Sequence, residues 1–405
     1  MLRRTLFRLH LLVGLLAGLV IGIKCLTGLP LAFEKELLAW SEAEVRTVSV
    51  PAEAKRLELS ELIARVREQR ENKLPSGITV SATPEATVVL QFGREETVYV
   101  NPYTGEVLKP ASSKMKSSLR FIEDLHRFLA LSGESRDIGK NISGVATILF
   151  VFLALSGLFL WWPRHLSWRS FKAVTRFNLR LKGKARDWNW HTTLGFWATP
   201  MLLVLSLSGL TLSYRWASNL GATLVGDPAV QQGQAGSNRG PALPTPPEGA
   251  KRLSSAQLLD IAAKAHPDFE QLTLRQESPG GNRRGPGPEG GRSDGKAKNR
   301  EAEVKTGPTP AQAVAIQLKE PKAWPRTATT ALYLNPYSGE IMKTERFADL
   351  SAGQRLRHWL RYLHTGEALG WPGQIAALLA SLVGFLLFYT GFALAWRRFF
   401  TDAKA

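Results

Sequence analysis

The sequence predicts a polytopic α-helical membrane protein whose four transmembrane helices form two parallel repeats, each carrying a small extracytoplasmic α+β lobe. Three observations carry this. Four apolar stretches, at about 10–33, 142–162, 191–216 and 372–396, reach the roughly 20 residues that a bilayer crossing needs. The segments between them alternate between short and basic and long and polar. An eleven-residue string, VYVNPYTGEVL at 98–108, returns as LYLNPYSGEIM at 332–342.

Charge sets the expected topology. The net charge of +18 is not a nucleic-acid signature, because it concentrates on three short segments. Residues 1–9 carry three arginines, 163–190 carries eight Lys/Arg against Asp187, and 397–405 carries three against Asp402. In a four-span chain these segments share one side, which the positive-inside rule makes cytoplasmic. Both termini and the middle loop are therefore expected inside, with 34–141 and 217–371 outside. Trp161, Trp162, Trp188, Trp190 and Trp396 fit the inner aromatic belt, and Trp216 and Trp371 the outer one. The first stretch is too long for a signal peptide and no A-x-A site directly follows it. The single cysteine, Cys25, falls inside the first span, so the outer lobes have no disulfide; it reads as a small core residue.

The elements follow in order. Transmembrane helix 1 (1–33) leads into lobe 1 (34–118), where KRLELSELIARV (55–66) has helical spacing and ITVSA, ATVVLQF and TVYV alternate as strands. Segment 119–162 holds a surface helix, LRFIEDLHRFLAL, then transmembrane helix 2. The basic loop 163–190 precedes helix 3 (191–217). Lobe 2 (218–350) repeats the order of lobe 1, with KRLSSAQLLDIA (251–262), LTLRQ, AVAIQL and TALYL. A serine or threonine cap fits the start of its helix. Lobe 2 also carries insertions at 228–249 and 278–310 whose Gly, Pro and charge content predicts disorder. Segment 351–397 holds QRLRHWLRYLHTGEAL and helix 4, and 398–405 is a cytoplasmic tail. In both NPYxGE strings, proline and glycine are the residues of a tight hairpin.

The repeat singles out chemistry. His10 and Gly14 match His191 and Gly195, 181 positions on, and Thr27-Gly28 matches Ser208-Gly209. His126 and His364 each follow a leucine, with Ala130-Leu131 and Ala368-Leu369 behind them. One pair falls at the inner membrane edge and the other at the outer edge. A parallel repeat has an approximate two-fold axis along the membrane normal, so the members of a pair can face each other. On residues alone three readings stand: axial imidazole pairs on haem iron, ligands of another metal, or polar anchors at a membrane surface. In the first, Gly14 and Gly195 let a macrocycle lie against the helix. A zinc protease is poorly supported, since there is no H-E-x-x-H and no carboxylate in a span. Lys24, with Leu205 at the matching position, is expected either to snorkel or to contact a propionate or substrate. His358 lies about 600° of helix rotation before His364 and so on another face, as a second candidate propionate or substrate contact. His165 and His266 read as surface residues.

Taken together, L-H-x-x-x-G at His10, D-L-H-R at Asp124–Arg127, H-x-x-x-G at His191, L-H-T-G at Leu363–Gly366 and the two NPY(T/S)GE hairpins make the chain resemble the PepSY-associated transmembrane family of iron-regulated inner-membrane proteins. The resemblance covers nearly the whole chain. It implies PepSY-like periplasmic lobes, a bacterial inner-membrane location, and similarity to ferric-siderophore reductases with two haems. It assigns His10, His191, His126 and His364 as axial ligands of two haem b groups, without thioether links since no C-x-x-C-H exists. Expected partners are a ferric siderophore or other ferric chelate, membrane lipid, and a quinol or separate reductase as donor, because no Gly-rich dinucleotide fingerprint is present. Two alternatives remain: a non-enzymatic regulator whose lobes bind a peptide or protease, and an electron-transfer subunit serving another reductase. Lys24 and the insertion at 278–310 depart from the family pattern.

Overall fold

A computed structural model describes residues 1–400 except 53–54, 71–72, 94–95, 110–113, 163–166, 228–239, 242, 244–249 and 276–311. The insertion at 278–310, most of that at 228–249, the tail beyond Phe400 and His165 lie outside the described residues. In chain order the helices and strands are α1 (Leu2–Leu31), α2 (Glu34–Ser41), α3 (Ala43–Arg46), α4 (Leu59–Glu68), β1 (Gly77–Ser81), β2 (Val88–Phe92), β3 (Glu96–Val100), β4 (Val107–Leu108), α5 (Lys114–Phe128), α6 (Arg136–Trp161), α7 (Trp168–Thr175), α8 (Gly183–Ser213), α9 (Arg215–Leu224), α10 (Ser255–Ala265), β5 (Gln271–Arg275), β6 (Val314–Lys319), β7 (Thr330–Leu334), β8 (Ile341–Glu345), α11 (Ala352–Thr365) and α12 (Trp371–Phe400). They fall into two units, one of residues 1–37, 114–228 and 356–405, the other of 38–113 and 229–355.

Among the described residues, the first unit holds a bundle of four helices long and apolar enough to cross a membrane. α1 packs on α6 and α12, and α8 packs on the same two. Each helix runs several residues past its apolar stretch, because polar ends can continue a helix where the apolar count stops. Small residues let the seams close. A Cβ on Gly22 would lie 2.8 Å from the Phe388 ring, and one on Gly384 would lie 2.7 Å from Cys25 Sγ. Cys25 is thus a buried packing residue, as its sequence context suggests. At one end of the bundle, buried Asp187 pairs with Arg186 at 2.9 Å and Arg397 at 3.2 Å, which ties the start of α8 to the end of α12.

The surface helices of the sequence reading are α5 and α11, both strongly amphipathic. α5 packs against α1 and α6. The chain turns from α11 into α12 at Gly366, with φ of +80°. A Cβ there would stand 2.6 Å from Gln374 Cα, so this step of L-H-T-G needs glycine.

In the second unit the expected strands appear, and the two lobes prove to share them. All eight lie in one antiparallel sheet of order β4-β3-β2-β1-β5-β6-β7-β8. The seam is β1 on β5, with Ile78 opposite Leu274 and Thr79 opposite Thr273, their hydroxyls 3.2 Å apart. Separate lobes would each leave an unpaired edge strand here, and joining them satisfies both rows of backbone groups. β4 and β8, too short or too polar to show periodicity, complete the outer edges. α4 and α10 contribute Leu62, Val66, Leu258 and Leu259 to a core with the inward residues of the strands. Ser254 caps α10 in a full capping box with Gln257. Leu274 is 2% exposed at the centre of this core. Leu274→Ala is expected to cost about 2–5 kcal/mol, read as a lowered midpoint in thermal unfolding of the detergent-solubilised protein.

The NPYxGE strings are hairpin turns that agree bond for bond. Asn101 N–H donates to the Glu106 carbonyl and Asn335 N–H to that of Glu340, both at 2.9 Å. Each asparagine Oδ1 accepts from the backbone two residues on, at 2.9 Å. Gly105 and Gly339 take φ of +73° and +77°. The carbonyls of Pro102 and Pro336 accept from Leu57 and Leu253 at 2.8 Å, placing the turn against the approach to α4 or α10. The repeated string is a folding element.

Candidate functional site

The four repeat-matched histidines all sit inside the helical unit, and each is held in the same way. His10 on α1 has Nδ1 2.8 Å from Ser156 Oγ on α6. His191 on α8 has Nδ1 3.0 Å from Thr390 Oγ1 on α12. His126 on α5 has Nδ1 2.9 Å from Thr27 Oγ1 on α1, and His364 on α11 has Nδ1 3.1 Å from Ser208 Oγ on α8. Every span therefore supplies one hydroxyl to one imidazole.

The hydroxyl protons decide the tautomer. Thr27 donates its own to the Ile23 carbonyl at 2.7 Å, Ser208 to Val204 at 2.6 Å, Thr390 to Leu386 at 2.7 Å and Ser156 to Leu153 at 3.3 Å. A hydroxyl whose single proton is spent along its own helix can only accept from the imidazole. Each Nδ1 therefore carries the hydrogen, and each Nε2 keeps a lone pair. For His364 the assignment has a second support, since Nδ1 also lies 2.8 Å from the Leu205 carbonyl, which only accepts. A neutral imidazole with Nδ1–H fixed and Nε2 bare is the form that ligates a metal.

Behind each hydroxyl comes a glycine, and three of the four make room for the ring. A Cβ on Gly209 would stand 2.9 Å from His364 Cε1, one on Gly391 3.2 Å from His191 Cε1, and one on Gly157 3.3 Å from His10 Cε1. At Gly28 the corresponding distance to His126 Cε1 is 3.9 Å, with Ser381 Oγ closer at 3.0 Å. Sequence reasoning paired Thr27-Gly28 with Ser208-Gly209 but missed Ser156-Gly157 and Thr390-Gly391. The signal was present, since a Ser/Thr-Gly dipeptide stands in every span. Gly14 and Gly195 are different. A Cβ at either would make only ordinary contact with a leucine, at 3.9 and 3.7 Å, so protein packing alone does not demand glycine there.

The structure brings His126 and His364 together. Their rings meet edge to face, with centroids 6.3 Å apart and planes inclined at 66°. Imidazole–metal bonds are about 2 Å long, so His126 and His364 are spaced such that they could hold one metal between them. Burial, assisted by the nearby Lys24 ammonium, holds His126 well below the usual histidine range and pushes His364 down to about 4. Beside His191, the indole Nε1 of Trp190 is buried with no hydrogen-bond partner among the described residues, leaving a donor for a polar group not supplied by the chain. No three of His, Cys, Asp and Glu gather in metal-binding range among the described residues. The imidazoles in ring contact are the single pair His126 and His364.

Lys24 does not snorkel. Its ammonium turns inward and donates to Ser143 Oγ on α6 at 2.8 Å, beside the His126–His364 pair. His358 is apart from the pair and packs its ring against Tyr362, centroids 4.6 Å apart. Burial and then Arg361 push it down to about 4, so it is a neutral ring packed on its own helix.

No curated protein matches the chain. A family model does, over residues 7–398, an interval that takes in all four spans, the eight-stranded sheet and the four hydroxyl-held histidines. The chain therefore belongs to the family described as the PepSY-associated TM region.

Proposed function

We propose that this protein is an inner-membrane oxidoreductase that carries electrons across the bilayer to reduce a ferric siderophore or similar ferric chelate outside, releasing Fe(II) for uptake. The observation that carries the reading is the fourfold arrangement Nδ1–H to Ser/Thr hydroxyl, which leaves four Nε2 lone pairs in two sets. His126 and His364 would hold one haem b, and His10 and His191 another. A haem with two imidazole ligands supplies one-electron transfer without opening an iron position. The hydroxyls fix ring rotation and tautomer, so that neither has to reorganise when charge changes. Glycines behind three of the hydroxyls admit the rings, Gly14 and Gly195 leave room along the helix, and Trp190 would have its indole N–H for a peripheral carboxylate.

The internal correspondence supports a duplicated chain with an approximate two-fold axis along the membrane normal. Histidines 181 positions apart (His10, His191) bond hydroxyl residues 234 positions apart (Ser156, Thr390), and the second set repeats the pattern. The basic segments support cytoplasmic termini and a cytoplasmic middle loop. With that orientation His10 and His191 lie toward the cytoplasm, near a quinol or a separate reductase, and His126 and His364 toward the periplasm and the chelate. Reduction frees the iron because oxygen-donor chelators hold Fe(III) far more tightly than Fe(II).

The purified protein is expected to give a Soret band, dithionite-sensitive α and β bands, and two haem b per chain by pyridine haemochrome assay. Ferric chelate should then reoxidise the reduced protein. A colourless protein would leave the regulator reading in possession of the field. Haem that a ferric chelate fails to oxidise would favour a subunit serving another reductase.

A further inference from the structure

The two halves of the chain match in the hydroxyls that hold their histidines, and Lys24 breaks the match. It stands on α1 three residues before Thr27, which holds His126; three residues before Ser208, which holds His364, stands Leu205. The Lys24 ammonium bonds the neutral Ser143 hydroxyl at 2.8 Å, and Ser143 in turn donates to the His126 carbonyl at 3.4 Å. Among the described residues no carboxylate pairs with it. The positive charge is therefore fixed on the His126–His364 side, one hydroxyl away from the His126 backbone. An ammonium inside a span is costly, and one that bonds inward rather than toward water calls for a functional account.

We propose that Lys24 raises the electron affinity of the His126–His364 centre above that of the His10–His191 centre, and so gives the path between them its direction. This rests on the two-haem reading above. Accepting an electron removes one positive charge from a centre, and a fixed cation nearby favours that state by Coulomb attraction in a medium poorer than water at screening it. The transfer itself is one electron from the reduced His10–His191 centre to the oxidised His126–His364 centre, with no bond made or broken and no proton moved. Leu205, at the equivalent place, stands beside the same centre, bonding His364 through its carbonyl, so the centre carries one such charge and not two.

The test is a potentiometric titration of the full-length, haem-loaded protein as wild type, Lys24→Gln and Lys24→Arg. Wild type is expected to show two midpoints. Lys24→Gln should lower the higher one, weakening the electron's preference for that centre by about tenfold, while Lys24→Arg keeps it. The lower midpoint, identified in the His364→Ala variant that retains only the other pair, should not move. Two haems with both midpoints unchanged in Lys24→Gln would overturn the proposal, as would movement of the lower midpoint. Loss of one haem in Lys24→Gln with retention in Lys24→Arg would also overturn it, making Lys24 the counter-ion of a carboxylate on the bound group. A wild type without two haems would instead refute the reading beneath it.

Discussion

Replacing His126 or His364 with alanine is expected to cut haem content from two per chain to one. The surviving centre should still be reduced from the cytoplasmic side but be reoxidised slowly by external ferric chelate. His10→Ala or His191→Ala should do the reverse, leaving a centre that passes electrons to chelate after chemical reduction yet no longer receives them from a cytoplasmic donor. The reasoning is local: alanine removes one Nε2, and the remaining imidazole of that pair cannot hold a six-coordinate low-spin centre alone. The other pair sits on different hydroxyls of different helices, so it keeps its partners. Haemochrome stoichiometry and stopped-flow reoxidation after dithionite reduction measure the two parts. Equal slowing by all four substitutions with both haems retained would show that these histidines are not the ligands.

Gly209→Ala should be nearly as damaging to the His364 side as losing the imidazole itself. The new Cβ would stand 2.9 Å from His364 Cε1, closer than real carbon contacts allow. The ring cannot swing away cheaply, because Nδ1 is committed to the Leu205 carbonyl at 2.8 Å and the Ser208 hydroxyl at 3.1 Å. Moving it strands a buried donor, which costs about 1–3 kcal/mol, and withdraws Nε2 from the pair. Gly28→Ala is the control. Its Cβ meets the His126 ring only at 3.9 Å and instead presses on Ser381 Oγ, a side chain able to rotate. Haem content near one per chain for Gly209→Ala and near two for Gly28→Ala is the expected result. Equal retention in both would mean that the ring has more freedom than its two hydrogen bonds imply.

Much of this was legible in the residues. The four spans follow from the length of their apolar runs, since only a helix satisfies its backbone across a bilayer, and the hairpin turns follow from Asn-Pro-Tyr-x-Gly. The four histidines stand out because a doubled pattern keeps them in register. Lys24 was visible as an ammonium in a span, although its direction was not. A side chain four carbons long near a helix end can reach water or a neighbour equally well, and only the position of Ser143 selects the second.

What the sequence by itself determined is therefore whatever depends on local period and composition: helices, strands, turns, the basic segments and the identity of the matched histidines. The tertiary structure alone decided which groups meet. It joined two lobes into one sheet through β1 and β5, because an edge strand accepts any partner of complementary length and its own sequence does not name one. It also showed that Ser156-Gly157 and Thr390-Gly391 serve His10 and His191. The hydroxyl that orients an imidazole lies on another helix, 146 positions away for His10 and 199 for His191, and a hydrogen bond between side chains that far apart leaves no periodic trace in the chain. The tautomer that leaves Nε2 free follows from that contact and from nothing shorter in range.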